Sequence, residues 1–206
     1  MRTILFIAAL AAAATPAMAQ EEELTRPPDW IVRFDRPAAD SAIYFVDMPP
    51  GWHITTGPAA ILYHPGQVAK GSYRLASEIY LFPGERLEGF GVFFGGSDLE
   101  GDAQAYTYFL IRKDGQFLVK DRRGEETTTL IPWTASSAIV AHDGGEGTAK
   151  NAIEVHVGPA SVGFFVNGQE VGRLERNGLQ ADGVVGLRVN HRLNVHVTQL
   201  TIEQRD

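Results

Sequence analysis

Along most of this chain, apolar residues recur at every second position. That spacing fits an extended strand whose side chains point alternately to two faces. In Gly71–Phe82, Tyr73, Leu75, Ile79 and Leu81 fall on one side and Arg74, Glu78 and Tyr80 on the other. Phe90, Val92 and Phe94 share a side opposite Gly91, Phe93 and Gly95, as in a central strand or one closely approached by a neighbour's backbone. Tyr106–Lys113 is rich in aromatic and β-favouring residues. Ala152–Val157 turns Ile153, Val155 and Val157 inward and Glu154 and His156 outward. Val184–Asn190 and Asn194–Ile202 supply two closing strands. In the last, Val195 and Val197 are out of phase with Leu200 and Ile202, a slip that one β-bulge repairs. Asp114-Gly115 and Asn167-Gly168 each stand between two such runs and predict hairpins with positive φ at both central residues. No segment has a helical period, and turn signals recur roughly every 8–12 residues, as in an all-β sandwich or barrel. The absence of a longer internal repeat argues against a propeller or solenoid.

The N-terminus has a different character. A basic Met1-Arg2-Thr3, an apolar Ile4–Ala14 and a small-residue Ala17-Met18-Ala19 have the layout of a secretory signal peptide, expected to span residues 1–19 with cleavage after Ala19. The apolar run is shorter than the roughly 20 residues that cross a bilayer. Gln20–Pro28, with Glu21-Glu22-Glu23 and Pro27-Pro28, reads as a disordered acidic leader, and residues 29–206 as one domain. Localisation is therefore expected to be periplasmic or secreted, with no membrane span in the mature protein. The chain has no cysteine, which excludes disulfides, thiolate nucleophiles and zinc–thiolate sites. A domain of this size buries enough surface to stand without such staples. The net charge of −7 disfavours nucleic acid and anionic membrane as partners.

Four segments in order carry a family likeness: Ala-Tyr-Thr-Tyr-Phe-Leu-Ile-Arg-Lys-Asp-Gly at 105–115, Asn-Ala-Ile-Glu-Val-His-Val at 151–157, Val-Gly-Phe-Phe-Val-Asn-Gly-Gln-Glu-Val at 162–171 and Gly-Val-Val-Gly-Leu-Arg-Val at 183–189. Over roughly Trp52 to Glu203 the chain resembles the concanavalin A-like lectin/glucanase superfamily, most closely its laminin G-like jelly rolls and the 3-keto-disaccharide hydrolase domains. The resemblance implies an antiparallel two-sheet jelly-roll sandwich with one curved sheet, and a ligand site on the concave face or the loop rim. Glucanases of the superfamily carry Glu-x-Asp-x-x-Glu on one strand. The nearest segment here, Ser77–Leu81, holds the single carboxylate Glu78, so the pair a glycosidase needs is not supplied locally.

The outward positions Arg74, Glu78, Tyr80, Tyr106, Tyr108, Arg112, Glu154 and Arg188 form the candidate ligand-binding set, although Tyr106 and Tyr108 fit the inward face equally well, both faces of their strand being partly apolar. On a shared curved sheet, their aromatic rings would stack on sugars and their charged groups would bind hydroxyls. The plainer alternative is a solvated sheet face laced by cross-strand ion pairs. Asp98, Glu100 and Asp102, in a glycine-flanked loop, are the candidate metal ligands, and calcium is the one cofactor they suggest. His142, Asp143 and Glu146 form a weaker case of the same kind. The histidines have no zinc spacing, and the three tryptophans are expected in core or rim packing. The leading expectation is an exported domain without an evident catalytic centre that binds carbohydrate, a glycan or other cell-envelope polymer. Two readings stand beside it: a glycoside-acting hydrolase resembling the 3-keto-disaccharide hydrolases, with Glu78 or Glu154 as its carboxylate, and an adaptor domain binding a protein partner.

Overall fold

The computed structural model describes residues 24–205. The expected signal peptide and the start of the acidic leader lie outside them. Fifteen strands follow in chain order: β1 (Ile31–Phe34), β2 (Ile43–Asp47), β3 (Trp52–Thr56), β4 (Ala60–Tyr63), β5 (Val68–Ala69), β6 (Tyr73–Leu81), β7 (Gly89–Ser97), β8 (Ala105–Arg112), β9 (Gln116–Arg123), β10 (Glu126–Ala135), β11 (Ala149–Val157), β12 (Ser161–Val166), β13 (Gln169–Glu175), β14 (Gly183–Val189) and β15 (Asn194–Gln204). The one helical element among the described residues is a single 3-10 turn at Asp40–Ala42.

The strands form two antiparallel sheets. One has eight strands, in the order β1-β4-β14-β7-β8-β9-β10 with β5 also paired to β14. The other has seven, in the order β13-β12-β11-β6-β15-β3-β2. Between the sheets lies a core built from the inward phases expected of the sequence. Tyr73, Leu75 and Ile79 on β6, Ile153 and Val155 on β11, and Phe164 on β12 meet Phe90, Val92 and Phe94 on β7 and Phe109 on β8. Burying each such side chain contributes about 1.5–3 kcal/mol, which is what holds the two layers together. Trp30 and Trp52 pack against each other with ring centroids 4.6 Å apart at the edge of this core.

The phase slip in β15 is a bulge. Its pairing with β6 shifts between Val197 and Gln199, and the Ser77 hydroxyl donates to the displaced Gln199 carbonyl at 2.9 Å. The Asn167-Gly168 hairpin has positive φ at both residues, 50° and 78°, and closes Val166 directly onto Gln169. The Asp114-Gly115 hairpin differs from expectation. Of that pair only Gly115 has positive φ, Arg112 pairs with Gln116, and the Gly115 N–H donates to the Arg112 carbonyl. This is a three-residue loop, a tight turn followed by a left-handed glycine. The Asp114 side chain is instead occupied by Arg112 and Gln116. The fold also starts earlier than expected. The Thr25 carbonyl accepts the Asp47 N–H and Arg26 pairs with Asp40, so the end of the leader is tied to the sandwich.

Candidate functional site on the concave face

The eight-stranded sheet is curled, and three side chains show which way. Asp35 follows β1, and its backbone N–H is pinned to the Ala59 carbonyl at the edge of the sheet. Arg122 stands on β9, five strand spacings away, roughly 24 Å across a flat sheet. Yet Arg122 Nη1 lies 3.3 Å from Asp35 Oδ1, which only a sheet folded toward this face allows. The outer face of the eight-stranded sheet is therefore the concave one.

Its floor is a second apolar cluster, with Ile61, Tyr63, Phe93, Tyr106, Tyr108 and Leu110 all buried. Across it runs Arg188 of β14. Its register partner on β7 is Gly91, which has no side chain to obstruct it, so the guanidinium crosses to lie 4.8 Å over the Tyr108 ring. Arg188 makes a bidentate pair with Asp35 at 2.9 and 2.6 Å and donates to the Tyr106 hydroxyl at 3.1 Å. Burial alone would raise the Asp35 carboxyl. The hydrogen bonds and charge of Arg188, with the charges of Arg122 and His191, outweigh it and hold the pKa below its usual value. Burial likewise raises the Tyr106 and Tyr108 hydroxyls, which stay neutral.

Beside this triad opens a groove of about 830 Å³, between β1, the β7–β8 connection and the end of β9. Arg33, Asp35, Glu100, Asp102, Gln104 and Glu125 give it polar walls, and Ile31, Pro37 and Leu99 give it apolar ones. Arg33 reaches over from β1 to donate to the carbonyls of Leu99 and Gly101 at 2.6 and 2.8 Å, which fixes the loop that forms one wall. Gln104 is only 6% exposed, and its side-chain amide has no hydrogen-bond partner among the described residues.

The eight candidate ligand residues do not share one face. Tyr106, Tyr108, Arg112 and Arg188 belong to the concave sheet. Arg74, Glu78, Tyr80 and Glu154 stand on the outer face of the other sheet. Nor are Tyr106 and Tyr108 open platforms, because the curl buries them to 1% and 5% exposure. Arg112 pairs with Asp114 at 2.8 Å and lies 4.3 Å over Trp133. On the outer face of the seven-stranded sheet the charges satisfy one another. Arg74 holds Glu154 through two hydrogen bonds of 2.8 Å and Glu203 through one of 3.0 Å, and His156 lies 2.6 Å from Glu154. Lys150 and Tyr80 hold Glu78 at 2.7 and 3.2 Å. The Arg74 hydrogen bonds depress the Glu154 pKa to about 2, and Lys150 depresses that of Glu78.

The three loop carboxylates do not gather as metal ligands. Asp98 turns back to accept the Ala103 N–H at 3.0 Å, whereas Glu100 and Asp102 line the groove. Among the described residues, no group of three histidines, cysteines or carboxylates is placed to hold an ion. In the other acidic loop both His142 nitrogens contact backbone groups, and Asp143 accepts the Gly145 N–H. His196 has His53 as its neighbour across the sheet, with ring centroids 6.2 Å apart. Sequence reasoning missed Asp35, Arg33, Gln104, Arg122 and Glu125. Arg33 and Asp35 lie on a four-residue strand and its exit, too short to show alternation, and the others at the start of β8 and the end of β9, which only curvature brings to β1.

No family model matches the chain, and no curated protein does. Solved structures do. A carbohydrate binding module, CBM66 from Bacillus subtilis, superposes with a TM-score of 0.64 over 88% of this chain and 98% of its own, at 11% identity. A Bacillus subtilis protein of unknown function with a galectin-like fold gives 0.62 over 85% and 89%, at 12% identity. A legume lectin-like domain from Entamoeba histolytica gives 0.53 over 86% and 91%, at 10% identity. The fold is a concanavalin A-like jelly roll. In this jelly roll the groove lies where the curled sheet, its short edge strand and one rim loop converge.

Proposed function

We propose that this chain is an exported carbohydrate-binding jelly roll that takes its ligand in the groove beside the Asp35–Arg188–Arg122 triad. The observation that carries the reading is the makeup of that groove. Carboxylates and the amide of the little-exposed Gln104 alternate with small apolar surfaces, and the walls are fixed by charge-assisted hydrogen bonds. A sugar presents hydroxyls around its rim and apolar C–H faces, and a few convergent polar groups set in an apolar wall suit it. The likeness to a carbohydrate binding module supports the same reading. Hydrolysis finds less support. A general acid needs a carboxyl with a raised pKa, whereas Asp35, Glu78 and Glu154 are each held low by a cationic partner. Screening the pure protein on a glycan array, with calorimetry on the hits, tests the reading. Saturable binding lost in Gln104→Leu is expected, and no binding to any saccharide would remove it. Export rests on residues 1–19 alone. Sequencing the N-terminus of the secreted protein is expected to start at Gln20, and an intact Met1 would contradict this.

A further inference from the structure

Sorting the charges in the groove by what they are already doing leaves a one-sided remainder. The cations are engaged: Arg188 and Arg122 converge on Asp35, and Arg33 is directed at two backbone carbonyls. The carboxylates of Glu100, Asp102 and Glu125 are exposed, line the groove and make no ion pair among the described residues. Gln104, a residue only 6% exposed, lines the groove beside them; its side-chain amide makes no hydrogen bond among the described residues, and its carbonyl oxygen is one more acceptor. A ligand carboxylate entering this space would meet three like charges and no unclaimed cation. A ligand ammonium would meet three acceptors of opposite charge and could donate to the amide oxygen.

We infer that the groove selects glycans bearing free amino groups, such as glucosamine oligomers, and rejects uronates. The inference rests on the carbohydrate reading above and narrows its substrate class. Each carboxylate is wet, so each contributes modestly. Three acting together would give a preference of about tenfold over an uncharged sugar, eroded by salt as the Debye length shrinks.

The test is calorimetry at pH 5.5 with a glucosamine oligomer, its fully N-acetylated counterpart and an oligogalacturonate of equal length, each at low and high salt. The glucosamine oligomer is expected to bind tightest, the uronate weakest, and the gap to narrow in high salt. Combined Glu100→Gln, Asp102→Asn and Glu125→Gln substitutions, all at exposed positions, should leave the melting curve in place and erase the preference. Equal or tighter binding of the N-acetylated or uronate ligand would overturn the inference while leaving the carbohydrate reading intact, as would a preference that survives the triple variant. Spermine binding as tightly as the oligomer would overturn it in favour of a polyamine acceptor. Failure of every saccharide, on the array as well as here, would remove both readings.

Discussion

The pivotal single residue is Asp35. It pairs bidentately with the two terminal nitrogens of Arg188, whose side chain is 5% exposed, so the two form a pair that is costly to halve. Removing one partner of a buried pair typically costs about 3–5 kcal/mol, because the other charge is left uncompensated. Asp35→Ala is therefore expected to lower unfolding stability by roughly that amount in urea titrations. A loss within a few tenths of a kcal/mol would mean the pair is not closed in solution. The acid limb of stability belongs to the same scale. The Glu154 pKa falls from 4.5 to about 2 on folding, chiefly through Arg74, so its contribution is complete above pH 4.5. That contribution should be lost as pH falls from 4.5 toward 2. Asp35, also depressed, adds loss in the same direction below its ordinary value of 3.8. Melting temperatures measured over this range should drop in the wild type and drop less in Glu154→Gln. Alternation placed Arg188 outward and left Tyr106 and Tyr108 open to either face, since both faces of their strand are partly apolar; all three belong to the outer face. What it could not carry is burial, since a period of two names a side of the sheet and not the curvature of that side. Nor could it find Asp35, whose partners lie 87 and 153 residues along the chain.

Among elements, the long strands were legible because each alternates over several positions and ends at a turn residue. The β15 bulge was legible for the same reason, as a break in phase. Strands β1 to β4 were not, since four or five residues give too few repeats, and β10 was hidden by a threonine run and Pro132. The two hairpins separate dipeptide from context. Asn167-Gly168 adopts the two-residue turn because Asn167 also works as a side chain, accepting from the Ala152 N–H and donating to Ala138 and Asn151. Asp114 is drawn to Arg112 and Gln116, and the loop takes a third residue. A Cβ on Gly168 would meet nothing within 4 Å, so Gly168→Ala isolates the backbone cost of φ 78°. It is expected to destabilise by about 1–2 kcal/mol in chemical denaturation. A neutral or stabilising result would contradict the left-handed turn.

At the scale of the whole molecule, the proposed function rests on curl. One sheet folds its outer face inward, buries an aromatic floor under Arg188, and brings β1, a rim loop and β9 together as a groove. The other sheet keeps its outer face wet and its charges mutually paired, which leaves it little to offer a ligand. The proposed function accordingly assigns the ligand to the first sheet and not to the second. Backbone amide NMR during titration with the tightest-binding saccharide from the array tests it most directly. Shifts centred on Arg33, Glu100, Gln104 and Glu125 are expected, with the amides of Arg74, Tyr80 and Glu154 unmoved. Shifts centred on Arg74, Tyr80 and Glu154, with the groove silent, would contradict the assignment of the site.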